Sequence, residues 1–332
     1  MVNVVVTGGS GFIGARLARR LLAAGELDVA GGGPRPLGRL TLIDQAEVPA
    51  DLAADHRVVA VRGDLGDLLD TGPGPLAGAD LIFHLAAAVS GECETDFDLG
   101  MRANLRATSA LLAAGRALGT SPVVVFSSSI AVFGDSPDHR LPAVIDDQTL
   151  ASPQSSYGTQ KVIGEYLLAD YTRKGFLRGR TMRLATISVR PGRPNAAASG
   201  FLSGIIREPL AGQRAVCPVA ARTEVAVASP DRAIAALLCA ATAAPQAWGG
   251  HSAVTMPSLT TTVADMIAAL ERAAGPAARA LIDWVPDPMV ERLVASWPAR
   301  FRTDRAARLG LAPDPDYDSV IAMHLADTLA SH

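Results

Sequence analysis

One octapeptide, Thr7–Gly14 (TGGSGFIG), constrains this chain more than any other segment. It follows Val2–Val6 (VNVVV), a short, valine-rich run of the kind found in strands buried on both faces. It opens a stretch in which Phe12, Ile13, Leu17, Leu21 and Leu22 recur at three-to-four spacing, with Arg16, Arg19 and Arg20 between them. Strand, glycine turn and helix in that order make a dinucleotide fingerprint; a bare connecting turn is the alternative. Gly8 permits the tight turn, Gly11 lets the backbone approach a pyrophosphate, and Gly14 lets helix and strand pack closely. The N–H groups at the helix start, those of Phe12 and Ile13 among them, join the helix dipole in suiting an anionic diphosphate.

The pattern continues along the chain. Leu40–Ile43, Val58–Val61, Leu81–His84 and Val123–Phe126 read as further buried parallel strands, with Ala/Leu-rich helical segments between them. This alternation predicts an α/β fold, a doubly wound Rossmann parallel sheet with helices on both faces. The pattern changes near Ile187, where Arg190–Ser199 is rich in Pro and small residues and Pro209, Pro218, Pro230 and Pro257 break shorter elements. The expectation is a nucleotide domain over 1–186 and a smaller, mainly substrate-binding domain over 187–332, with a segment near 226–244 returning to the first. Gly31–Gly38 reads as a flexible insertion between the first helix and the second strand.

Composition narrows the function. The 332 residues are 49% hydrophobic and 19% charged, enough apolar material for a full core. Thirty Lys and Arg against 33 Asp and Glu, net −3, with 5% aromatics, give no polybasic or base-stacking surface for nucleic acid. Three scattered cysteines form neither a disulfide framework nor a metal site, and reduced thiols in the cytoplasm are the plain reading. The N-terminus lacks the basic and apolar regions of an export signal, and no apolar run is long enough to span a bilayer.

Asp44 closes the second strand, where a carboxylate accepts from the ribose 2′- and 3′-hydroxyls and repels a 2′-phosphate. This favours NAD over NADP, with Arg35 and Arg39 as the nearby challengers and a solvated turn residue as the alternative. Asp64 follows the third strand and is placed either to bond the adenine amino group, with Leu65 against the ring, or simply to close a turn.

Ser127–Ser129 lie at the carboxyl end of the fifth strand, the end at which open parallel sheets bind ligands. Tyr157 and Lys161 (YGTQK) are four apart at the start of a helix and so share a face. A phenol titrates near 10, and lowering it by roughly three units takes about 4 kcal/mol of differential stabilisation. A neighbouring ammonium and a cationic nicotinamide supply it. Tyr157 then removes an alcohol proton, while Ser129, preferred over Ser127 and Ser128, orients the alcohol.

Taken together, TGGSGFIG, GDL (63–65), HLAAAVSG (84–91), SSSIAVFG (127–134) and YGTQK resemble the extended short-chain dehydrogenase/reductases, the NAD-dependent epimerase/dehydratase family. The resemblance extends to Phe301–Gly310 near the C-terminus. Within it, VSGE (89–92), YGTQK and the run 190–210 resemble the D-erythronate dehydrogenases, which oxidise a four-carbon sugar acid at its C2 hydroxyl. The resemblance implies catalytic roles for Ser129, Tyr157 and Lys161. It implies cofactor roles for Gly8, Gly11, Gly14, Asp44, Asp64, Leu65, Leu85, Ala86 and Ala87, a site-bracing role for Asn104, and substrate or cofactor contacts at Ser90 and Asn195. A homodimer through helices of the nucleotide domain is also implied.

One departure stands out. Where relatives carry an arginine and an aromatic residue for substrate, Thr223–Asp231 places Glu224 and Ala226. Arg190, Arg193 and Arg207 are the remaining candidates for a substrate carboxylate, each with a surface or structural role as the alternative. The competing functions are a nucleotide-sugar epimerase or dehydratase that retains its NAD, a dehydrogenase of another sugar acid, and a non-catalytic NAD sensor.

Overall fold

The computed structural model describes residues 1–192 and 199–330. By Cα proximity these fall into two units. The first comprises 1–129, 156–183 and 234–254, and the second 130–155, 184–233 and 255–330. Residues 130–155 thus group with the second unit although they precede the sequence boundary at 186. Residues 234–254 group with the first unit and overlap the segment near 226–244.

The first unit is built on strands β1 (Val2–Thr7), β2 (Glu26–Asp28), β3 (Pro34–Asp44), β4 (Val58–Arg62), β5 (Leu81–His84), β6 (Val123–Ser129) and β7 (Arg178–Leu184). Every β-branched run identified in the sequence lies in a strand. The spatial order is β4-β3-β1-β5-β6-β7, with the pairs among β4, β3, β1, β5 and β6 parallel. A short strand at Val254–Thr255 extends the sheet beyond β7. Val4, Val6, Leu40, Leu42 and Phe83 are at most 1% exposed, as expected for strands covered on both faces. On one face Val5, Ile43, Ile82, Val124 and Phe126 pack with Leu111 and Leu112 of the helix Ala107–Ala117. Each such aliphatic contributes roughly 1.5–3 kcal/mol through removal from water.

The segment Gly31–Gly38 is not a flexible insertion. β2 runs antiparallel to the start of β3, pairing Glu26 with Pro36 and Asp28 with Pro34. The turn is fixed by Gly33 N–H donating to Asp28 Oδ1 at 3.0 Å and Ala30 N–H donating to Ala241 O at 2.9 Å. β3 therefore has eleven residues, with β2 covering the beginning of one edge and β4 the rest.

The second unit contains a three-stranded sheet in which Glu224–Ala228 lies between Leu259–Thr262 (antiparallel) and Thr186–Ile187 (parallel). Ala215–Cys217 pairs with Ile282–Trp284. Its core gathers Ile205, Ile206, Val227, Met266, Leu270 and Ile321. Among the described residues, no helix is long and apolar enough to cross a membrane and no acid, histidine or cysteine cluster is suited to a metal ion.

Candidate active site

At the end of β1 the chain turns at Gly8, which has φ +71°, and starts the helix Phe12–Ala24 at Gly11. A Cβ on Gly8 would lie 2.9 Å from Ala86 N, and one on Gly14 would lie 2.0 Å from Gly8 O. The loop is therefore pressed against Leu85–Ala86 on one side and its own helix on the other, and neither position has room for a side chain. No side chain caps the helix start, and its first turn carries no acid. An uncapped helix start of this kind could hold a diphosphate in a cradle of backbone N–H groups.

Asp44 closes the cradle. Its Oδ2 accepts from Ser10 N–H at 2.9 Å and its Oδ1 from Ala46 N–H at 3.1 Å. Each carboxylate oxygen has a second lone pair for a ribose hydroxyl. Arg39 donates to Ala77 O and Arg35 pairs with Asp80. They lie about 16 and 30 Å back along β3 from Asp44, so neither meets a 2′-phosphate there. Asp64 caps the helix Leu65–Leu69, Oδ1 accepting from Gly66 N–H at 2.8 Å, while Oδ2 accepts from Gln45 Nε2 at 3.0 Å. Leu65 is 6% exposed within the core cluster, and each Asp64 oxygen, like those of Asp44, keeps a second lone pair beyond these bonds.

The three serines ending β6 have different surroundings. Ser127 Oγ donates to His84 O at 3.1 Å, and Ser128 Oγ donates to Glu165 Oε1 at 2.5 Å. Ser129 is half-buried at the strand tip. In the helix Ser156–Arg173, Lys161 Nζ donates to Ser127 O at 2.9 Å and lies 4.9 Å from the Phe126 ring centroid and 5.5 Å from that of Tyr157. The structure thus brings Tyr157 and Lys161 to the end of β6. Lys161 is 3% exposed, and its burial pushes its pKa down to about 8.

Asn104 sits in a π-helical turn, Met101–Arg106. Its Oδ1 accepts from Ala88 N–H at 2.8 Å, and its Nδ2 donates to Ala88 O at 3.2 Å and to Gln160 Oε1 at 2.8 Å. It brackets the chain just before Ser90, which begins the short helix Ser90–Thr95. His84 lies beneath this bracket, between Thr7 Oγ1 at 2.8 Å and Thr108 Oγ1 at 2.9 Å.

The comparisons with known proteins fit this geometry. The model of the NAD dependent epimerase/dehydratase family matches residues 4–230. This chain belongs to that family. A Cupriavidus necator protein named D-erythronate dehydrogenase is 48% identical over 98% of each chain. A Haemophilus influenzae protein of the same name is 38% identical, over 96% of this chain and 98% of its own. A solved structure, named as a nucleoside-diphosphate-sugar epimerase from Agrobacterium tumefaciens, superposes with TM-score 0.89 at 42% identity, covering 100% of this chain and 95% of its own.

Asn195 and Arg193 lie outside the described residues. In the second unit Arg207 is already committed, Nη2 to Glu208 Oε1 at 2.5 Å and Nη1 to Arg190 O at 2.6 Å. Arg190 Nε donates to Ile187 O at 3.1 Å. Glu224, half exposed, is held by Arg300 through both carboxylate oxygens, and Ala226 is buried.

Several residues that shape the site escaped the sequence reading: Thr7 and Thr108 around His84, Cys93 and Gln160 around Asn104, and the pair Glu165–Arg183 behind Ser128. Glu165 offered a signal, since it continues the four-residue spacing of Tyr157 and Lys161. The others act across strands and leave no mark in local spacing.

Proposed function

We propose that this chain oxidises a secondary alcohol of a small sugar acid with NAD, and that its substrate is D-erythronate, converted at C2 to the 2-oxo acid. The carrying observation is 48% identity over nearly the whole of both chains to a protein of that name, with Ser129, Tyr157 and Lys161 present.

The glycine cradle holds the diphosphate of the dinucleotide, Asp44 its ribose, and Leu85–Ala87 flank it. When bound, NAD supplies the hydride acceptor. Ser129 Oγ orients the substrate hydroxyl, and Tyr157 Oη takes its proton. The Lys161 ammonium, fixed by the Ser127 carbonyl, favours the charged form of that phenol. Asn104 holds Ala88, and with it the approach to Ser90. Ser90 and Arg190 remain proposed substrate contacts.

The name of the Agrobacterium tumefaciens protein favours a second reading, a nucleotide-sugar epimerase. The two differ in net redox change. Incubation with NAD and each of erythronate, threonate and a hexuronate should give NADH absorbance with erythronate. No absorbance with any acid, together with interconversion of a nucleotide sugar without added NAD, would establish the epimerase instead.

The chain is further read as a cytoplasmic homodimer. Phe97 (60% exposed) and Tyr166 (66% exposed) present apolar surface on helices of the first unit, which also carries a groove lined by Asp98, Met101, Arg102, Leu105 and Arg106. A second copy is the proposed occupant, and a monomer mass by light scattering would exclude it.

A further inference from the structure

The helix Ser156–Arg173 carries a third ionisable group on the stripe of Tyr157 and Lys161, because Glu165 follows Lys161 by four residues. Glu165 is 6% exposed. Arg183 on β7 grips both its oxygens, Nε to Oε1 at 2.9 Å and Nη2 to Oε2 at 2.6 Å, and the arginine side chain is itself 14% exposed. Ser128 Oγ adds a bond to Oε1 at 2.5 Å, tying the carboxylate to the residue before Ser129.

Without Arg183, the carboxylate would stand as a buried negative charge one helical turn from Lys161 and would oppose the ammonium's effect on the phenol. The bidentate guanidinium cancels it. We propose that Arg183 is a positioning residue for proton transfer: by neutralising Glu165 it leaves the charge of Lys161 to act on Tyr157, while Glu165 and Ser128 lock the helix to the end of β6. This rests on the reading of Tyr157 as the base.

The other groups facing this helix do not supply that balance. Cys93 on the helix Ser90–Thr95 is a thiol pushed up by burial, and His84 on β5 is held neutral, down to about 3, by burial. Glu92 accepts from Val89 N–H, and Glu94 accepts from Ser156 N–H. Asp98, Arg102, Arg106 and Arg116 are exposed to solvent.

The test is a direct titration of Tyr157 in the full chain by NMR of 13Cζ-labelled tyrosine. The chain has only four tyrosines, and Tyr157→Phe identifies the signal. An uncompensated charge about 12 Å away, in a medium of effective dielectric about 20, moves a midpoint by roughly one pH unit. Arg183→Met should raise the Tyr157 midpoint by up to about that much, Glu165→Gln should lower it, and the double variant should return close to the parent. The acid limb of kcat/KM should move in the same directions. Unmoved midpoints, or both single variants shifting the same way, would overturn the proposal. If Arg183→Met does not fold, Glu165→Gln decides: a downward shift supports the proposal, and no shift or an upward one overturns it. The titration needs no substrate, so absence of turnover in the parent chain sinks only the sugar-acid reading.

Discussion

The Lys161 ammonium donates to the Ser127 carbonyl oxygen at 2.9 Å, so the cation and the strand end that carries Ser129 are held by one bond. Burial leaves that ammonium only modestly stable as a cation, with its pKa down at about 8 against 10.5 for an exposed lysine. It is charged below that pH and neutral above it. Activity should therefore decline as pH rises through about 8. Lys161→Arg keeps the charge and should remove this alkaline limb, at reduced kcat because the guanidinium does not fit the same pocket. A pH profile of kcat for the two proteins checks this, and an unchanged limb in Lys161→Arg would assign it to another group.

Tyr157→Phe deletes the proposed proton acceptor without changing the shape of the glycine loop. Loss of a positioned acid–base group costs roughly 10²–10⁴ in rate. The expected result is a loss of that order in kcat with NAD affinity within about twofold of the parent, measured by NADH absorbance and by calorimetry. A variant retaining most of its rate would remove Tyr157 from the mechanism.

Gly14 lies where a Cβ would sit 2.0 Å from the Gly8 carbonyl oxygen, a contact no backbone tolerates. Gly14→Ala should push the loop off the helix start and weaken NAD binding by at least about tenfold, near 1.4 kcal/mol. The control is Gly25→Ala at the far end of the same helix. A Cβ there meets nothing within 4 Å, so its φ of +69° costs stability but leaves NAD affinity intact. Equal NAD affinities in the two variants would count against the cradle.

Asp44→Asn keeps an acceptor for Ser10 N–H or Ala46 N–H but removes the negative charge proposed to face the ribose. The ratio of kcat/KM for NAD over NADP should fall by about tenfold or more, chiefly through gain with NADP. Equal use of the two cofactors by the parent chain would defeat the argument before any substitution is made.

Sequence legibility followed the range of the interactions. The strands were readable because a two-sided burial requirement writes continuous apolar runs such as Val123–Phe126, and the glycine loop because close backbone approach admits no side chain at Gly8 or Gly14. Tyr157 and Lys161 were readable because a helix places i and i+4 on one face. Arg183 was not, since it meets Glu165 across 18 positions of sequence, from strand to helix. The ribbon of β2 and β3 was missed because Gly31–Gly38 is rich in glycine and proline, and its strand character comes from pairing at Glu26–Asp28 rather than from side-chain pattern. Asp64 caps the turn through Gly66 and accepts from Gln45, and that role and an adenine contact draw on the same residue type at the same place, so local spacing does not separate them.

His84 provides the last test, one of stability. It is 1% exposed, and burial holds its pKa down at about 3 against 6.5 for an exposed histidine. Its ring protons are fixed by the neighbours. Thr108 Oγ1 donates to Asn104 O at 2.5 Å, so it accepts from His84 Nε2–H. Thr7 Oγ1 accepts from Leu85 and Ala86 N–H, so its own proton goes to Nδ1. The ring has no place for a second proton. Between the two pKa values the unfolded chain binds a proton that the folded chain does not, so this contribution is whole above 6.5 and shrinks as pH falls toward 3. From pH 6.5 to 4.5 the loss is on the order of 2 kcal/mol. His84→Gln should be less stable than the parent at pH 7 by about 2 kcal/mol, because a threonine partner is left unmet, and should lose less on acidification. Urea unfolding at pH 7, 5.5 and 4.5 measures both. Parallel pH dependence in parent and variant would mean that the neutral ring does not carry the acid sensitivity of the first unit.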